Sequence, residues 1–131
     1  MFTYLIIAIG GAIGSMGRYW ISGMVAERWG ESLPWGTVVV NSTGSLLIGF
    51  IFGITAPGSR LLAPVGFREF FMIGICGGYT TFSSFSLQSL QMLQEGEWLK
   101  AALYSAVALL TSFVGVWLGF TFAAVLNGSL K

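Results

Sequence analysis

Four long apolar stretches, at roughly 3–26, 35–56, 67–93 and 98–126, occupy nearly all of this 131-residue chain. Crossing the hydrocarbon core of a bilayer takes about 20 mostly apolar residues as a helix, and each stretch is long enough. Only short connections separate them, at 27–34, 57–66 and 95–97. In lipid the backbone N–H and C=O groups must be satisfied within the structure, so the stretches are expected to be helical. The expected fold is an all-α integral membrane protein, one four-span domain over 1–131, surrounded by the lipid bilayer. Trp29, Trp35 and Trp98 fall at segment ends, where an interfacial aromatic belt would place them. The N-terminal Met-Phe-Thr-Tyr-Leu-Ile-Ile lacks the basic n-region of a cleaved signal peptide and reads as a retained span.

Composition then removes several function classes. Only 8% of residues are charged, against about a quarter in ordinary soluble domains, so no catalytic or binding domain fits outside the membrane. There is no histidine and no aspartate, which excludes histidine catalysis and a histidine metal site. The single cysteine, Cys76, allows no intrachain disulfide. No base and nucleophile pair is visible, so the chain is not read as an enzyme. A net charge of +1 and the lack of a nucleotide motif leave no nucleic-acid or nucleotide partner.

Residues 74–86, Gly-Ile-Cys-Gly-Gly-Tyr-Thr-Thr-Phe-Ser-Ser-Phe-Ser, interrupt the third apolar stretch. Gly77-Gly78 weaken a helix there, and Thr80, Thr81, Ser83, Ser84 and Ser86 add five hydroxyls. The third helix is therefore expected to break at Gly77-Gly78. Broken backbone at membrane depth is tolerated where it is buried in protein or lines a cavity, and transport proteins bind ions at such breaks. One reading is a structural kink. The other is that carbonyls freed at Gly77 and Thr80 coordinate a monovalent cation such as sodium, since no carboxylate is near and divalent ions want carboxylates.

Other residues carry paired readings as well. Asn41, the one amide side chain in the first two spans, is either an interhelical hydrogen bond or a donor facing an anion. Phe82 and Phe85 are either packing aromatics or rings whose positive edges solvate a small hard anion. On the fourth span Tyr104, Thr111 and Ser112 lie roughly on one face, with Ala108 and Gly115 between them, as a weak polar stripe. Arg18 is expected to snorkel to the interface. No carboxylate lies in mid-membrane, which argues against a proton-coupled drug exporter.

Size and charge speak to assembly. Four helices at interaxial distances of about 8–10 Å leave no central water path, so a pore has to form between subunits. Small residues recur every fourth position at Gly10 and Gly14, at Gly115 and Gly119, and along Asn41, Ser45, Gly49 and Gly53, as closely approaching helices require. With four spans, Arg60, Arg68 and Lys131 share one side of the membrane and Arg28 and Lys100 the other, joined by Arg18 if that side chain snorkels outward. So even a balance gives positive charge little leverage on orientation. An antiparallel, dual-topology homodimer follows.

Three blocks together resemble the Fluc (CrcB) family of fluoride channels. They are Gly10-Gly11-x-x-Gly14-x-x-x-Arg18, Gly36-Thr37-x-x-Val40-Asn41-x-x-Gly44 and Gly74-x-Cys76-Gly77-Gly78-x-Thr80-Thr81-Phe82-Ser83-x-Phe85-Ser86. The resemblance implies antiparallel dual-topology dimers with two narrow fluoride pores, a structural sodium ion at the dimer centre and a bacterial cytoplasmic (inner) membrane location. It implies that Phe82 and Phe85 form an aromatic box on fluoride, that Asn41 is a pore-lining amide donor and that the carbonyls of Gly77 and Thr80 hold sodium. Tyr104 and Ser112 would belong to a polar track on the fourth helix. Ser84, also placed on the anion pathway, stands where threonine is common, and Ala108 stands where a track hydroxyl is expected. The function so implied is passive export of cytoplasmic fluoride.

Overall fold

The structure is a computed structural model and describes residues 1–59 and 63–128. Arg60 and Lys131, which enter the orientation argument, lie outside the described residues. The first two spans are α1 (Phe2–Trp29) and α2 (Trp35–Ile54). The third is composite: a π-wound segment (Glu69–Cys76), one α turn, α3 (Gly77–Tyr79), and then α4 (Phe82–Gln94). The fourth span is α5 (Trp98–Asn127). All four are long and apolar enough to cross a membrane, and the described residues contain no strand.

The third helix does break, three residues later than the glycine pair predicts. Gly77 has helical angles (φ −64°, ψ −37°), and it is Thr80 (φ −82°, ψ 158°) and Thr81 (φ −152°, ψ 108°) that are extended. At Gly77 the winding only changes from π to α. The glycines serve close approach instead, since a Cβ on Gly78 would stand 2.5 Å from Gly11 O. β-branched threonines accept the extended conformation readily.

Two glycine seams hold the bundle. On α1, Gly10 and Gly14 press against the π-wound segment; a Cβ on Gly10 would stand 2.7 Å from Phe70 O, and one on Gly14 would clash with Ile75 O. Between α2 and α5, Gly49 faces Val116 O, Gly119 faces Leu46 O and Gly115 faces Ser42 O, each too close for a Cβ. Where backbones touch, dispersion replaces the hydrophobic driving force that lipid cannot supply. The rows legible in the sequence are thus used largely inside one chain. At the end of the bundle where α1 finishes and α2 starts, Trp29 and Trp35 meet edge to face at 6.2 Å.

Candidate functional site

The chain passes the break without abandoning its backbone polar groups. In an unbroken α-helix the Thr81 N–H would donate to Gly77 O. Here it donates to Asn41 Oδ1 at 2.7 Å, and Asn41 Nδ2 donates back to Thr81 O at 3.1 Å. The Thr81 hydroxyl then caps α4, accepting from Ser84 N at 3.1 Å. Thr80 closes the preceding turn, with both its N–H and its hydroxyl on Cys76 O at 2.9 and 2.8 Å. Ser15 Oγ reaches Gly78 O at 3.4 Å, and Arg18 Nη1 lies 3.5 Å from Thr80 O.

That last contact corrects the expectation for Arg18. Its guanidinium turns inward to the break and does not snorkel out. A carbonyl at the break lacks a ladder donor, and in a low-dielectric setting it draws the nearest cationic one. At 3.5 Å the contact is at the outer limit of a hydrogen bond, so Thr80 O keeps acceptor capacity.

Beside the break is a cavity of about 390 Å³ lined from α2, the π-wound segment, α4 and α5. Asn41, Phe82, Phe85, Ala108 and Ser112 all line it, as do Gly77 and Thr80. The two rings lie 5.4 Å apart, tilted at 46°, in different surroundings. Phe85 is 9% exposed and packs on Tyr104 at 5.4 Å, whereas Phe82 is 72% exposed. Phe113, which also lines the cavity, is 69% exposed. The cavity therefore stands open at the surface of the chain.

The remaining expected residues sit off this cavity. The Ser84 hydroxyl takes a hydrogen bond from Thr81 Oγ1 at 3.0 Å. Tyr104, 2% exposed, donates to Gln88 Oε1 at 2.8 Å behind the Phe85 ring. Gln88 escaped the sequence reading, although an amide inside an apolar span is a readable signal. The stripe on α5 also divides. Tyr104, Ala108 and Ser112 follow one another at helical spacing toward α4 and the cavity, while Thr111 turns to Ser42, whose hydroxyl donates to it at 2.7 Å. Among the described residues no three histidine, cysteine or acidic side chains cluster.

The comparison with known proteins bears on this arrangement. A family model described as CrcB-like protein, Camphor Resistance (CrcB), matches residues 5–120, which contain all three motif blocks. The chain belongs to the CrcB family. Its relatives in that family include a protein of Rhodospirillum rubrum named fluoride-specific ion channel FluC, 50% identical over 125 residues and covering 95% of this chain and 97% of its own. One of the same name from Opitutus terrae is 51% identical over 131 residues, covering 100% and 98%. A third, from Paramagnetospirillum magneticum, is 45% identical over 127 residues, covering 97% and 99%. CrcB membership and four span-capable helices make this a multi-pass membrane protein. Its CrcB relatives carry the name of a channel, not of an enzyme.

Proposed function

We propose that the chain is a fluoride-selective passive channel that lets cytoplasmic fluoride leave the cell down its electrochemical gradient. The observation that carries the reading is the shared cavity, where Asn41, Phe82, Phe85 and Ser112 meet with no fixed cation among the lining residues. Fluoride is small and strongly hydrated, so its water must be replaced. Ring edges, a serine hydroxyl and an amide N–H offer positive partial charge without a full charge that would trap the ion. The curated relatives named as fluoride-specific channels support the choice of anion.

The pathway is completed by a second, antiparallel copy in the bacterial cytoplasmic membrane. Support comes from the exposed Phe82 and Phe113, which leave the wall unfinished in one chain, and from the even distribution of basic residues. A structural sodium ion at the dimer centre belongs to the same reading. The break fits it: Gly77 O loses the Thr81 N–H that a continuous helix would supply, Thr80 O keeps acceptor capacity, and Gly77 is exposed on the subunit surface. Neutral carbonyls without carboxylates suit a monovalent cation. When bound, the ion would supply positive charge that ties the two subunits together.

Passive export has a clear physiological logic. Hydrofluoric acid enters an acidified cell as a neutral molecule and dissociates in the more alkaline cytoplasm, where the anion stays trapped until a pore releases it. Fluoride-electrode efflux from liposomes holding the purified protein tests this. Fluoride should leave rapidly once a valinomycin–potassium shunt balances charge, while chloride in the same vesicles stays behind. No fluoride efflux, or chloride release at a matching rate, would remove the reading.

A further inference from the structure

Both carbonyls assigned to sodium depend on a single N–H, that of Thr81. The peptide unit between Thr80 and Thr81 is planar and trans, so its N–H and its C=O point in opposite directions. Asn41 Oδ1 holds that N–H at 2.7 Å from the cavity side. The same bond thereby aims Thr80 O away from Asn41, toward the side where Arg18 Nη1 lies. It also takes from Gly77 O the donor that an α-helix would have given it. The return bond from Asn41 Nδ2 to Thr81 O, at 3.1 Å, locks the pair. No proline enforces the extended Thr80–Thr81 backbone, so the amide of a neighbouring helix does it.

We propose that Asn41 is a positioning residue that couples the anion cavity to the cation-holding break, its amide oxygen setting the sodium carbonyls while its side chain lines the fluoride path. The inference rests on the reading of Gly77 and Thr80 as the sodium carbonyls. Within the carboxamide the roles divide: the oxygen secures the Thr81 N–H, and the nitrogen secures Thr81 O and leaves its second N–H available to the cavity. Sodium retention should thus follow the acceptor, and fluoride passage the donor.

Two variants separate these roles in the purified, full-length protein. Asn41→Asp keeps an oxygen for the Thr81 N–H and loses the donor; Asn41→Leu keeps the approximate volume and loses both. The readout is Tm titrated with sodium chloride against N-methylglucamine chloride, because a ligand of the folded state raises Tm by mass action. For Asn41→Leu the sodium midpoint should rise about tenfold or more, as expected when a buried N–H loses its acceptor. For Asn41→Asp it should stay near wild type although fluoride flux falls. Ser112→Ala lines the cavity without touching the break and should leave the sodium midpoint unchanged.

Cys76 gives a second readout. It is buried, and its carbonyl takes both Thr80 bonds, so its labelling by a small thiol reagent should accelerate in Asn41→Leu and not in Asn41→Asp. Should Asn41→Leu fail to fold, Asn41→Ser, too short to reach the Thr81 N–H, takes its place with the same expected loss. A folded Leu or Ser variant with the wild-type sodium midpoint and labelling rate would overturn the coupling while leaving the sodium reading intact. A wild-type Tm indifferent to sodium would overturn the sodium reading, and the coupling with it.

Discussion

Phe82 and Phe85 share a helix face and a cavity yet differ in what removing them would do. Phe85 sits in a core cluster with Val38, Met92 and Tyr104, so Phe85→Ala should cost about 3–5 kcal/mol, as buried aromatic truncations do. Phe82 projects from the chain's surface, and its truncation should cost the fold little. Function should not follow this division. If ring edges solvate the anion, Phe→Ile at either position removes the positive edge while roughly keeping volume, and fluoride flux should fall severely at both. Liposome flux measured beside Tm checks the pair, and normal flux in a folded double Ile variant would return both rings to packing. At this scale the sequence was informative about which residue types gather, because hydroxyls, an amide and rings at membrane depth need a common reason. It could not say whom each hydroxyl serves: that of Ser84 accepts from Thr81, three residues away, and that of Thr111 donates to Val107 O in its own helix while accepting from Ser42, 69 residues away.

Spans are legible because hydrophobic length is a property of the element itself, and all four lie within a few residues of where apolarity places them. The internal form of the third span is less so. A π-wound segment keeps the same apolar content as an α-helix, so composition gives no warning of it. The break moved from the glycines to the threonines because weakness in a helix is a permission, whereas Asn41 and the Thr81 cap supply donors and acceptors that fix the place. Glycine rows were visible, but their partners belong to tertiary structure. A contrast on α1 tests what the rows do. A Cβ at Gly14 would meet Ile75 O and stand 2.8 Å from Tyr79 N, while one at Gly23 meets nothing within 4 Å. Gly14→Ala should therefore destabilise by about 1–3 kcal/mol through overpacking. Gly23→Ala should be neutral or stabilising by about 0.5–1 kcal/mol, from helix propensity alone. Equal unfolding behaviour of the two variants in detergent would show that the α1 seam does not bear on stability.

At the scale of the whole molecule, the proposed antiparallel dimer rests on what one chain leaves exposed. The cavity opens where Phe82 and Phe113 stand exposed, and Gly77, one of the two proposed sodium carbonyl residues, is exposed as well. On the proposed reading a second copy closes these surfaces, and its orientation is then a question of charge. Where α1 ends and α5 begins stand Arg28 and Lys100, the latter paired with Glu97 at 2.7 Å; toward the opposite end Arg68 lies over the Phe52 ring at 5.3 Å. Neither end commands the positive-inside rule, so a few lysines should decide the matter. Adding three lysines to the 95–97 connection should orient every copy alike and abolish fluoride efflux, because parallel chains cannot build the antiparallel dimer. Adding three near Pro57 in a separate version should impose the opposite orientation and be equally inactive alone. Co-expression of the two should restore efflux, and only in dimers that contain one of each. Full efflux from a single, uniformly oriented version would mean that one orientation suffices, and the antiparallel assembly would have to be given up.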